Sequence, residues 1–190
     1  MTANVERPVP TGYRPLTNVN WYKRLHAKLI ARGYKKYEIF IDETKRTLFH
    51  SLTGRVLELG PGGGANLTYF PPAIEWIGVE PNSFFSPYLR AALDDAKITG
   101  HTVVGQSEYL PIPSATADAV VCTLVLCTVH DPARTLLEVL RVLKPGGRLF
   151  FIEHVLDPED EKRRRLQRRM RWLWEILGDG CQPHRDTAET

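Results

Sequence analysis

The chain has 190 residues, of which 43% are hydrophobic and 25% charged, and a net charge of +3. That length suits one domain with a sizeable core, and the small charge excess does not mark a polyanionic partner. Three cysteines, Cys122, Cys127 and Cys181, have neither paired nor Cys-x-x-Cys spacing, so neither a disulfide framework nor a metal site is expected. The stretch Met1–Pro15 lacks the apolar core of a signal peptide. No run approaches the ~18 apolar residues of a membrane-spanning helix. The expectation is a cytoplasmic protein.

Residues 1–18 read as a polar, proline-bearing lead. From Asn20 to Leu52 apolar residues recur at helical spacing, with Gly33 dividing two helices. Their aromatics, such as Trp21, Tyr34 and Tyr37, with Tyr13 before them, either pack on the core or roof a pocket. Arg55–Leu59 is the first predicted strand. It runs into Gly60-Pro61-Gly62-Gly63-Gly64, which predicts a tight turn opening a helix near Ala65–Leu67. Glu75–Pro81 is the second strand, and Phe84–Asp95 a helix with Pro87 near its start. His101–Val104 and Asp118–Leu124 are the third and fourth strands. Pro132–Leu143 is a helix that Lys144-Pro145-Gly146-Gly147 ends, and Arg148–Ile152 is the fifth strand. Strands alternating with helices predict a parallel sheet with right-handed crossovers.

The stretch Asp157–Leu177 begins acidic and turns strongly basic, with Leu166, Met170, Leu173 and Leu177 at helical spacing. It reads as an amphipathic helix. Its basic face is either solvated or in peripheral contact with an anionic membrane. Nucleic acid is not expected, because no base-stacking module accompanies the charge.

In an open parallel sheet, ligands bind at the carboxyl ends of the strands. There the sequence places Glu58 and the glycine loop, Glu80, the segment Gln106–Pro111, Leu124–Leu126 and Glu153-His154. Glu80 follows Gly60 by twenty residues, where a carboxylate can accept both hydroxyls of a ribose. A dinucleotide and S-adenosylmethionine both fit such a pattern. The loop spacing Gly-x-Gly-x-Gly, rather than Gly-x-Gly-x-x-Gly, favours S-adenosylmethionine. So does Glu58, which would repel a pyrophosphate but suit a cationic methionine end.

The stretches "VLELGPGGGANL", "GVEPN", "GQSEYLPIPSATADAVVCTLVLCTV" and "EVLRVLKPGGRLFFIEHV" carry a resemblance over residues 55–156. They resemble the class I S-adenosylmethionine-dependent methyltransferases of the methyltransferase type 11 kind. "CTLVLCTV", "LFFIEHV" and "GDGCQPHRDT" are similar to the methyltransferase-like thiol S-methyltransferase group. The resemblance implies an α/β, Rossmann-like sheet with helices on both faces, here without the last two strands of that fold. It implies cofactor binding by Glu58, Gly60, Gly62, Gly64, Glu80, Ser107, Glu108 and Leu124.

The domain organisation expected is then threefold. Residues 1–52 hold the lead and the helices that cap the site. Residues 53–156 form the S-adenosylmethionine-binding core, and residues 157–190 the basic helix and a C-terminal segment. The implied activity is methyl transfer to a small, apolar acceptor, with a thiol favoured. The alternatives are an O- or C-methyltransferase of a quinone-like or lipid acceptor, and a non-catalytic cofactor-binding partner subunit. No catalytic base is assigned. His130 and His154 lie near the expected site, and Asp179 and Cys181 are candidates for substrate contact. An uncovered sheet edge would favour self-association.

Overall fold

Each apolar run has side chains that alternate between two faces, and both faces need cover. In the computed structural model five such runs form one parallel sheet. The structure describes residues 20–33 and 35–153, together with residues 160–162, 165 and 169. The strands are β1 (Arg55–Leu59), β2 (Glu75–Glu80), β3 (Thr99–Val104), β4 (Ala117–Thr123) and β5 (Leu143–Ile152). Their spatial order is β3-β2-β1-β4-β5.

The helices divide between the faces. On one side lie α1 (Asn20–Gly33), α2 (Lys35–Phe49) and α3 (Ser86–Ala96). Ala27, Phe49, Leu89 and Leu93 pack there with Val56, Trp76, Ala119 and Val121. On the other side α4 (Pro132–Val142) lays Val139 and Val142 against Leu57, Leu59, Val79 and Val120. Local chemistry sets the helix ends. Pro87 sits in the first turn of α3, and Lys97 closes that helix at φ 57°. The Asp131 carboxylate caps α4 by accepting from Arg134 N at 2.9 Å.

The expected alternation is present, with several corrections. The helix expected after the glycine loop is a single 3-10 turn, Leu67–Tyr69. Pro71 and Pro72 follow within a few residues, and Phe70 is already extended (φ −83°, ψ 142°), as the residue before a proline tends to be. The helix expected from Phe84 starts at Ser86, because a 3-10 turn over Ser83–Phe85 precedes it. β3 begins two residues earlier than expected, at Thr99. β4 ends at Thr123, since Leu124 turns to φ 58° and leaves the strand.

The Lys-Pro-Gly-Gly stretch does not separate α4 from β5; it lies inside the strand. Ala117 pairs with Leu143 and Ala119 with Arg148, so the stretch bulges from the pairing. An edge strand tolerates Pro145, whose missing N–H leaves no inner partner unsatisfied. Lys144 Nζ ties the bulge to Asp118 Oδ1 at 2.7 Å.

Candidate functional site

The strand order brings the loops after β1 and β4 side by side at the carboxyl edge, where open sheets take ligands. The loop after β1 is bare backbone bent into the left-handed region. Gly60, Gly62 and Gly64 have φ of 55°, 54° and 85°, values that glycine adopts without strain. Gly60 N donates to Val79 O at 2.9 Å, and Gly64 N to Pro61 O at 2.9 Å. A Cβ at Gly60 would stand 2.8 Å from Val125 Cγ2, so the loops after β1 and β4 touch there.

Glu80 ends β2, is buried, and is held by this loop. Its Oε2 accepts from Gly62 N at 3.0 Å and its Oε1 from Asn82 N at 2.8 Å. Two backbone donors thus fix the plane of an acceptor-only group beside the glycine backbone. That donor set fits the nucleoside end of S-adenosylmethionine, because a fixed carboxylate is what paired ribose hydroxyls recognise. Asn82 carries the arrangement outward. Its Oδ1 accepts from Phe84 N at 3.2 Å, and its Nδ2 donates to Lys23 O of α1 at 3.1 Å.

Helix α1 therefore lies over the loop. Ala31 Cα would be 3.0 Å from a Cβ on Gly63, and Ile30 Cγ2 would be 3.9 Å from one on Gly62. The outward face of α1 shows Trp21, Leu25 and Leu29 to solvent. Trp21, one of the aromatics considered for a pocket roof, is 68% exposed.

Glu58 sits beneath the glycine loop on the face covered by α1 to α3. It is buried, with Oε1 accepting from Asn66 Nδ2 at 2.8 Å and Oε2 from Trp76 Nε1 at 2.8 Å. Asn66 Nδ2 also reaches Thr123 Oγ1 at 3.0 Å. The Trp76 ring gets there because Gly78 and Gly100 leave it room; a Cβ at either would clash with Trp76. Burial pushes the Glu58 carboxyl up to about 7, while the Trp76 and Asn66 hydrogen bonds and the charge of Lys45 oppose the rise. Both Glu58 oxygens are thus engaged by side chains, one from Asn66 just after the glycine loop and one from Trp76 of β2.

The remaining wall comes from β3, β4 and β5. Ser107 and Glu108 are buried. Glu108 Oε1 accepts from His130 N at 2.8 Å, which ties the loop after β3 to the start of α4. His130 itself is exposed. Leu124 is half-buried at the turn from β4, its N donating to Ile152 O at 2.8 Å. Buried Glu138 and half-buried Arg141 of α4 hold the 110–112 segment. Leu110 N donates to Glu138 Oε2 at 3.0 Å, and Arg141 donates to Ile112 O at 2.8 Å and Leu110 O at 3.0 Å.

The sheet thus gathers Glu58, Gly60, Gly62, Gly64, Glu80, Ser107, Glu108 and Leu124 at one edge. Tyr13, Tyr34, the Tyr37 side chain, His154, Asp179, Cys181 and all but a few residues of the basic stretch 157–177 lie outside the described residues. Four organising residues carried no assigned role in the sequence: Asn82, Glu153 and the pair Glu138 and Arg141. Glu153 had a signal, because β1, β2 and β5 share the pattern of an apolar strand with a glutamate at its carboxyl end. Glu138 and Arg141 had none, since an i, i+3 charged pair on an amphipathic helix ordinarily faces solvent. Among the described residues, no group of His, Cys, Asp and Glu side chains is placed to hold a metal, and no helix is long and apolar enough to cross a membrane.

A family profile described as a methyltransferase domain matches residues 57–151. The protein named thiol S-methyltransferase TMT1B from Rattus norvegicus is 38% identical over 178 residues, covering 88% of this chain and 71% of its own length. Its Homo sapiens namesake is 34% identical over 186 residues, covering 92% and 74%. Among solved structures, the YcgJ protein from Bacillus subtilis matches with a TM-score of 0.62 at 23% identity, over 78% of this chain and 63% of that one. At that identity the likeness is one of fold.

Proposed function

Since the chain belongs to the class I S-adenosylmethionine-dependent methyltransferases, we propose that it methylates the sulfur of a small, apolar thiol. The observation that carries the reading is the Glu80 carboxylate, fixed between Gly62 N and Asn82 N at the carboxyl edge of the sheet. The relatives named as thiol S-methyltransferases support the choice of acceptor.

When bound, the cofactor supplies a methyl group activated on a sulfonium. The chain's own residues bind and orient. Glu80 would accept the ribose hydroxyls, with its carboxylate held by Gly62 N and Asn82 N. Gly60, Gly62 and Gly64 would let the ligand lie against bare backbone. Ser107 and Glu108 would line the adenine side, and Leu124 would contribute a floor. Helix α1 lies over Gly62 and Gly63. A thiol with a pKa of roughly 8.5 is partly thiolate near neutrality, so this chemistry depends more on alignment than on a strong base.

The test is turnover with labelled S-adenosylmethionine on a panel of alkyl and aryl thiols, with phenols and quinols alongside. The expected result is labelled methyl thioether, lost on Glu80→Ala. Labelling confined to oxygen or carbon acceptors would overturn the thiol assignment. Binding of the cofactor with no turnover on any acceptor would favour a partner subunit.

A further inference from the structure

We propose that Glu153 is a positioning residue of the methyl-transfer site, acting through the turn that follows β4. The inference rests on the methyltransferase reading above and adds to it the residue that shapes one wall of the site.

Glu153 stands directly after β5, yet its carboxylate is spent on the neighbouring loop. Oε1 accepts from Val125 N at 2.8 Å and from Leu126 N at 2.8 Å, and Oε2 accepts from Cys127 N at 3.2 Å. Cys122 Sγ also lies 3.5 Å from Oε1. Three successive N–H groups converge on one side chain. They open a turn that Thr128 N closes on Val125 O at 2.8 Å and Val129 N on Val125 O at 2.9 Å. The first N–H groups of such a turn have no partner within it. Val125, Leu126 and Cys127 are all buried, so water does not serve them, and an ionised acceptor makes the strongest substitute.

Two consequences reach the site. Leu124 is held at φ 58°, a conformation that a leucine keeps only when its surroundings enforce it. Its enforcers are the Ile152 carbonyl on one side and the clamped turn on the other. Val125 is pressed against Gly60, whose missing Cβ makes the space. One carboxylate at the end of β5 therefore sets both the floor at Leu124 and the seat of the glycine loop.

The experiment compares the wild-type chain with Glu153→Gln. S-adenosylhomocysteine affinity, acceptor KM and kcat, and amide hydrogen exchange are measured. In the variant, amides 125–127 and Gly60–Gly64 should exchange faster. S-adenosylhomocysteine affinity should fall by roughly tenfold, the factor set by one charge-assisted hydrogen bond, and KM for the acceptor should rise as kcat falls. Unchanged affinity and kinetics, or faster exchange confined to 125–127, would overturn the proposal. Should Glu153→Gln not fold, Val125→Ala tests the same path. It keeps the clamp and removes the contact on Gly60; weakened cofactor affinity supports the proposal and unchanged affinity overturns it. A wild-type chain that binds no S-adenosylhomocysteine would overturn the functional reading and this role with it. Wild-type binding with an unaltered variant overturns the role of Glu153 alone.

Discussion

The indole nitrogen of Trp76 donates to the Glu58 carboxylate at 2.8 Å, from β2 to β1 and directly beneath the glycine loop. Two residues eighteen positions apart thus share one buried polar contact, and the ring reaches it only because Gly78 and Gly100 carry no side chains. The pair makes the floor of the loop sensitive to protonation.

Burial raises the Glu58 carboxyl from 4.5 to about 7 in the folded chain. In the window between those values the native state holds more protons than the unfolded state, so stability falls as pH rises. The contribution is fully present below about pH 4.5 and lost through about pH 7. Denaturant unfolding at about pH 5 and about pH 8 should show the wild type losing up to ~3 kcal/mol. Glu58→Gln, which cannot titrate there, should lack that component. Parallel pH profiles for the two proteins would contradict this.

Gly64 and Gly146 separate two costs that are usually mixed. Both have positive φ, 85° and 80°. A Cβ on Gly64 would meet Ala92 Cβ at 2.8 Å and Leu67 Cδ1 at 3.1 Å, whereas one on Gly146 would meet nothing within 4 Å. Gly146→Ala should cost about 1–2 kcal/mol for the left-handed backbone alone. Gly64→Ala should cost that plus overpacking of about 1–3 kcal/mol. Thermal unfolding of both variants checks the difference, and equal losses would contradict it.

Asn82 joins the turn that holds Glu80 to helix α1. Asn82→Ala removes the hydrogen bond to Lys23 O and the cap on Phe84 N. The expected result is a global loss of about 1 kcal/mol, with much faster amide exchange in α1 than in β1 or β2. Cofactor affinity should fall with it. A uniform change in exchange across the chain would argue against a local hold of Asn82 on α1.

The fold was legible where one residue type dictates one outcome. The apolar runs around Val56, Ile77 and Val120 require strands buried on both faces, and the helical periods between them require crossovers. Gly60 to Gly64 could only be a turn, and Glu80 ends β2 against that turn as its spacing suggests. What escaped depended on tertiary register. Nothing local announces the partner of Glu58, since Trp76 reaches it only through the room that Gly78 and Gly100 leave. The expected helix after the loop failed on Pro71 and Pro72, a local signal outweighed by the glycine pattern. Lys144–Gly147 looked like a break and became a bulge, since Asp118 supplies a partner that only strand pairing brings near. Glu153 lies at the carboxyl end of its strand as Glu58 and Glu80 lie at theirs, but its target is a turn twenty-six to twenty-eight residues earlier in the chain.

We propose that Glu80, held by Gly62 N and Asn82 N, recognises the cofactor. Calorimetric titration of S-adenosylhomocysteine into the wild-type chain and into Glu80→Ala tests it most directly. The expected result is saturable binding by the wild type that weakens by roughly a hundredfold in the variant, the loss set by charge-assisted hydrogen bonds to two hydroxyls. Equal binding by a folded Glu80→Ala chain, or none by the folded wild type, would contradict it.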